Sequence, residues 1–390
     1  MKAMILSALA VLAPATAEAR TAPHPDYFTA PFTMERVLDW GERPDWSPDG
    51  KKLVFTRSDL ADGPAYELDL ATRKVRCLTC RFGANGFVTR IYYLADGSFL
   101  ILGPPSLQTA KARPGAESAD TAIAGALYWM PASADFPPQP LGTAAWGELA
   151  VQRVQKGGEM RIAWGMQDGA VSQLVSGTVV HDGSRAALVD RRIVYAFDAR
   201  KPAPGAPTFA EAYNISADGS RAMFWSVDPG TLDSGMYEVD IASGRTREIA
   251  ATPAHNETHV FPDETYGLEE SNRASDPDGP LRGISSLDKG SITAIAGALG
   301  HDLGKAGDLD RYAPRPPLSG LGRPFDLYVV AMNGEERVRR LTEVSELGGN
   351  AHQSVPNEDG KRIAFALKAP QSGPLAGKGG LYIGRFGDGR

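Results

Sequence analysis

The turn Ser47-Pro48-Asp49-Gly50, followed by Lys51-Lys52-Leu53-Val54-Phe55, returns in altered copies along the chain, and this recurrence constrains the fold more than any other feature. Each copy has an apolar or aromatic residue, an Asp-Gly turn, one or two polar residues and a short apolar run. Copies run from Leu94 to Leu102 around Asp96-Gly97, from Ile215 to Trp225 around Asp218-Gly219, and from Val355 to Phe365 around Asp359-Gly360. Phe261-Pro262-Asp263-Glu264 is a degenerate copy without the glycine. Asp-Gly between two apolar runs marks a tight hairpin, since both residues tolerate positive φ at little cost.

A second pattern trails the first. Tyr66 to Leu70 precedes Lys74 to Thr79, Tyr237 to Ile241 precedes Arg245 to Ile249, and Tyr328 to Met332 precedes Arg339 to Thr342. Period-2 alternation inside each run predicts two more strands per unit. Four antiparallel strands recurring every ~40 to 60 residues predict an all-β, six-bladed β-propeller. The blades start near Trp46, Arg90, Ala150, Tyr213, Glu257 and Ser354. Hairpin signals are weak in the third unit, where 172–192 could hold another, so seven blades is the alternative count. Ring closure needs a strand from one end of the chain in the blade at the other, and Phe32 to Leu38 is the expected closing strand.

The domain map follows. Residues 32–386 form a single propeller domain with loop insertions at 104–125 and 275–323, after an arm at 20–31 and before a short tail at 387–390. Residues 1–19 carry one lysine, an apolar stretch from Ala3 to Leu12, and Ala17-Glu18-Ala19, the pattern of a signal peptide cleaved after Ala19. The expected product is periplasmic or secreted and monomeric, without membrane insertion. A net charge of -6 without a basic cluster argues against nucleic acid as a partner.

Two cysteines are present, Cys77 and Cys80. On one regular strand their Cα atoms would lie about 10 Å apart at ~3.3 Å per residue, beyond the ~7 Å reach of a disulfide. Bonding therefore requires the strand to end near Leu78. A structural disulfide, a free pair, and a redox or zinc site stay open as readings.

Trp46 to Phe55 resembles the repeat of TolB-type periplasmic β-propellers, a pattern shared with the propellers of prolyl-oligopeptidase-like enzymes. Asn256 to Asp263, with Leu268 to Arg273 behind it, is similar to a TolB-like branch related to oligogalacturonate lyases, as are Cys77-Leu78-Thr79-Cys80 and Ser372 to Gly377. The resemblance implies an envelope protein that binds a protein or small-molecule ligand at a mouth of its central channel. It also implies an alternative, a carbohydrate-active lyase acting on uronates, whose relatives hold a metal with several His and a Gln at such a mouth. A non-catalytic cell-envelope interaction protein is a further alternative. No Gly-x-Ser-x-Gly elbow occurs in the sequence, which disfavours peptidase chemistry.

Segments leading into the innermost strands supply the candidate site. They hold Arg43 and Asp45, then His255, Asn256, Glu257 and His259, then Asn350, His352 and Gln353. Arg43, His255, Glu257, His259, Asn350, His352 and Gln353 are the ligand-binding candidates, and His255, His259 and His352 the candidate ligands of a divalent metal ion. His259 and His352 are expected to face a shared space. Leu347, which cannot ligate, and Asn350 stand at the two positions before His352 that might match the lyases' metal ligands. Glu269 and Glu270, adjacent on one strand, read as a solvated carboxylate beside a buried or salt-bridged one rather than as an acid/base pair. Trp129, Trp146, Trp164 and Trp225 read as packing residues rather than sugar platforms.

Overall fold

The computed structural model describes residues 24–387 apart from 58–62, 105–123, 154–159, 169–170, 199–200, 202–206, 208–209, 228–233, 251–254, 275–323, 333–334 and 336. The expected signal peptide, the bodies of both insertions and the end of the tail lie outside the described residues.

The Asp-Gly segments do form the hairpin turns, with a different division of labour from the one expected. The Gly50 amide donates to Ser47 O at 2.8 Å, and Gly50, Gly97, Gly219 and Gly360 take φ of 64°, 86°, 72° and 67°. The aspartate instead keeps ordinary backbone and uses its side chain: Asp49 Oδ1 accepts from Ser47 Oγ at 2.7 Å and from the Lys51 amide at 3.1 Å. In the degenerate copy Glu264 occupies the glycine position at φ 56°, and its amide donates to Phe261 O at 2.8 Å. The Ala217 amide, at 2.7 Å, and Arg221 hold the Glu264 carboxylate in place.

All described sheets are antiparallel. β1 (Phe32–Leu38) lies apart in sequence from its sheet. β2 (Glu42–Trp46), β3 (Lys52–Thr56), β4 (Ala65–Asp69) and β5 (Val75–Cys77) form one four-stranded sheet. Seven strands make the next: β6 (Arg90–Tyr93), β7 (Phe99–Gly103), β8 (Ala124–Met130), β9 (Gln139–Val151), β10 (Met160–Asp168), β11 (Val171–His181) and β12 (Ala186–Asp198). β13 (Glu211–Ile215), β14 (Arg221–Val227), β15 (Ser234–Asp240) and β16 (Thr246–Ala250) form a third. β17 (His255–Val260), β18 (Tyr266–Ser271), β19 (Asp326–Ala331) and β20 (Val338–Arg340) form a fourth. The fifth has the order β1, β23 (Gly380–Phe386), β22 (Arg362–Lys368), β21 (Asn350–Pro356).

This arrangement is propeller-like, but the described sheets do not make the closed ring of six separate four-stranded blades that the repeat predicts. Four sheets have four strands, and residues 90–198 fuse two expected units into one. The fusion lies in β9, whose 13 residues contain no Asp-Gly or proline break after Pro140. Its first part pairs β8 as far as Trp146, and its last part pairs β10 from Trp146 to Val151. Gly142 and Gly147, at φ 71° and 75°, bend the strand where a loop was expected. The bend lets the sheet pack on itself, with Leu100, Leu127 and Trp129 sharing a core with Leu149, Ile162 and Trp164. Residues 171–198 form the β11–β12 hairpin of the same sheet rather than a concealed unit. β1 pairs β23 from Phe32↔Phe386 to Leu38↔Leu381, which places the two ends of the described chain in one sheet.

Neighbouring sheets bury apolar faces against each other. Trp46, Leu53 and Phe55 pack with Val355, Ala364 and Ile383, while Ala150, Ala163 and Leu174 pack with Ala212 and Phe224. The arm before β1 joins this packing: Tyr27 is fully buried, its ring 4.1 Å from that of Phe261 and edge-on to Tyr266 and Phe386. Trp129 and Trp164 are likewise fully buried. Cys77 and Cys80 are joined by a disulfide, their Cα atoms 5.7 Å apart because β5 ends at Cys77 and a 3₁₀ turn begins at Cys80. Among the described residues no helix is long and apolar enough to cross a membrane.

Candidate ligand site at the inner strands

Position within the repeat decides which side chains meet. Arg43, Arg90 and Gln353 each stand seven residues before the glycine of their turn, Gly50, Gly97 and Gly360. Asp45, Tyr92 and Val355 stand five residues before it, and His259 five before Glu264. Two residues is the strand period, so these positions share one face. All seven line a single small cavity, with Glu148 of β9 on its wall, so that five strands from four sheets contribute.

Bulges shape that wall. The β2–β3 register shifts between Glu42 and Asp45, and the β21–β22 register shifts between His352 and Val355. Within these bulges Arg43 and Gln353 adopt φ of 55° and 57°, a region that costs non-glycine residues about 1–2 kcal/mol. The Arg43 amide donates to Gln353 Oε1 at 2.7 Å, which ties the two bulges together.

Charge is concentrated here. Glu148, 6% exposed, accepts from Arg43 Nη1, from Arg90 Nε at 3.0 Å and from the Tyr92 hydroxyl. Burial pushes Glu148 up, but the two guanidinium groups outweigh it and hold the carboxyl below the usual range. Arg153, just past β9, donates to Asp45 Oδ1, whose second oxygen accepts from the Tyr93 amide at 2.8 Å. The cavity wall therefore carries Arg43 and Arg90 against Glu148, and Asp45, which Arg153 meets from outside the wall. His259 is pushed down to about 3, first by burial and then by Arg153 and Arg43, with Glu148 opposing. Its ring packs edge-on against Tyr213 at 5.3 Å. Gln353 is 4% exposed, and its Nε2 has no acceptor among the described residues.

Of the sequence candidates, Arg43, His259 and Gln353 line the cavity. His352 is not among its lining residues: alternation turns it away from Gln353, and its backbone pairs Ala366 on β22. The cavity therefore does not bring the two imidazoles together. Asn350 Oδ1 accepts from the Phe325 amide at 3.1 Å, which joins β21 to the chain entering β19. His255 and Glu257 lie on the backbone of β17, and their side chains are outside the described residues. Among the described residues no three His, Cys, Asp or Glu side chains gather as a metal site. At the cavity the carboxylates of Glu148 and Asp45 are already bound by Arg43, Arg90 and Arg153, beside one imidazole.

Arg90, Tyr92, Glu148 and Arg153 are missing from the sequence reading. Aligning the copies on their turn glycines would have found Arg90 and Tyr92, whereas Glu148 and Arg153 belong to the fused unit, where no turn marks the register. Glu269 and Glu270 face opposite ways as expected, but both are buried. Arg273 grips Glu269 at 2.6 and 2.7 Å, and the Ser354 amide donates to Glu270 at 2.6 Å.

Similar solved structures include TolB proteins and an oligogalacturonate lyase. TolB from Acinetobacter baumannii is 14% identical with a TM-score of 0.39, over 62% of this chain and 49% of that one, so this chain spans about half its length. Putative TolB from Agrobacterium tumefaciens is 14% identical with a TM-score of 0.33, over 86% of this chain and 77% of that one. Oligogalacturonate lyase from Vibrio parahaemolyticus is 12% identical with a TM-score of 0.42, over 93% of this chain and 98% of that one. No family model and no curated protein matches the sequence. Likeness at these values assigns no residue a role.

Proposed function

We propose that the chain is a periplasmic or secreted propeller-like binding protein that takes an acidic group of its ligand, a protein or a small molecule, into the cavity between the inner strands. The carrying observation is Gln353 Nε2, a buried donor without an acceptor among the described residues, beside Arg43 and Arg90. A buried donor left unpaired costs roughly 1–3 kcal/mol, so an oxygen brought to it gains that much. The depressed His259 is due first to burial, and the further lowering by Arg153 and Arg43 is what supports the same reading.

Size narrows the ligand's pose. The cavity measures about 20 Å³, and one water-sized group needs about 10–15 Å³. A single carboxylate tip enters, and the rest of the ligand lies outside the mouth. A uronate ring does not fit, and an imidazole at about 3 is a weak base near neutral pH. Both points favour binding over lyase chemistry. A larger groove of about 320 Å³ lies between the Asp49 and Asp96 turns, but its buried carboxylate, Glu67, is already met by Lys52, Arg76 and the Tyr93 hydroxyl.

Calorimetric titration of the intact chain with acetate tests the proposal. Saturable binding is expected, weakened about tenfold or more in Gln353→Leu, which removes the amide donor. Equal binding by the variant would contradict the assignment.

A further inference from the structure

The inner strands enclose a second cavity, of about 50 Å³, nearer the Asp-Gly turns. Val355 borders both cavities. Two of the three charged groups on its wall are committed: Arg153 to Asp45, and Glu264 to Arg221 and the Ala217 amide. Glu358 makes no hydrogen bond or ion pair among the described residues, although Arg153 is close enough to oppose the upward push of burial on its carboxyl. Asn214 Nδ2, on the same wall, also lacks a partner among the described residues. Nothing in the network fixes which end of that amide faces inward, so a flip presents Oδ1.

Glu358 is half-buried, and the nearby cation, Arg153, is already bound to Asp45, which leaves negative charge of Glu358 unmet at the cavity. A metal ion would need several oxygen ligands, whereas much of the wall is apolar, with Met223, Val260 and Phe261. An organic cation meets both conditions. We propose that this cavity binds a short-chain primary ammonium group, its charge on Glu358 and Asn214 and its carbon against Met223 and Phe261. The site is separate from the acid-accepting mouth and does not rest on that reading.

The test uses the intact chain and calorimetry at constant chloride, with methylammonium as the free-amine probe, Nα-acetyl-lysine methylamide as the probe for a partner's lysine, and sodium as control. Saturable binding of either amine, lost by about tenfold or more in Glu358→Gln, supports the proposal and tells the source. Absence of binding by both amines, an equal effect of sodium, or unchanged binding in Glu358→Gln overturns it. Glu358→Gln changes a half-buried side chain that makes no hydrogen bond or ion pair among the described residues and is expected to fold. Should it not, Asn214→Leu provides the second reading: binding weakened severalfold supports the site, and unchanged binding overturns it.

Discussion

The Arg43 amide donates to Gln353 Oε1 at 2.7 Å across two sheets, and the two residues stand at φ 55° and 57°, each inside a β-bulge. Left-handed backbone at two facing non-glycine residues is strain placed where five strands meet a cavity, and such strain persists when the site needs it. The bulges aim Arg43 at Glu148 and leave the other end of the Gln353 amide, Nε2, at the cavity.

Relief of that strain should separate from loss of the side chain. Arg43→Ala and Arg43→Gly both remove the guanidinium, but glycine accepts φ 55° freely. Urea denaturation should find the glycine variant more stable than the alanine variant by about 1 kcal/mol. Acetate binding should fall alike in both. Equal stabilities would mean that the backbone relaxes at position 43.

Burial pushes Glu269 up to about 7 from 4.5, against two hydrogen bonds from Arg273. A folded-state value above the unfolded one means that the unfolded chain releases its proton first, so this group's contribution is full below about pH 4.5 and falls as pH rises toward 7. Stability of the wild type relative to Glu269→Gln should therefore drop between about pH 4 and pH 8, by at most ~3 kcal/mol. A relative gain over that interval would show that Arg273 holds Glu269 ionised.

Attachment of β1 to β23 passes through Gly380 at φ 125°, where an added Cβ would fall against Leu38 O and lie 2.7 Å from Asp39 C. Both the backbone conformation and the neighbouring backbone exclude a side chain. Gly380→Ala should lower stability by more than ~2 kcal/mol in thermal or urea unfolding, well above the ~0.5 kcal/mol of an ordinary surface change. A shift within that smaller range would show that β1 does not hold the sheet as described.

Much of the strand order was legible because each Asp-Gly turn fixes its register locally: the glycines at 50, 97, 219 and 360 all take positive φ. The fused sheet was not, since β9 carries neither turn chemistry nor a break and only tertiary pairing decides where one unit ends. The site divided the same way. Arg43, Asp45, His259 and Gln353 precede recognisable turns, while Glu148 comes from the bend in β9, and the facing of His352 depends on a one-residue alternation through a bulge. Tyr27 lay in a segment read only as an arm, without strand periodicity, and its burial among Phe261, Tyr266 and Phe386 is a long-range contact.

His259 reports the field inside the cavity most directly. Burial and the guanidinium groups of Arg153 and Arg43 hold it near 3, against 6.5 for a free imidazole, so it stays neutral through the physiological range. Nuclear magnetic resonance titration of its ring protons should therefore show no protonation between about pH 8 and 5 in the free protein. Saturating acetate should move its pKa upward, because a bound anion favours imidazolium. A His259 left unmoved by saturating acetate would contradict an acid-accepting cavity at the inner strands, and one that titrates near 6.5 without acetate would contradict its burial there.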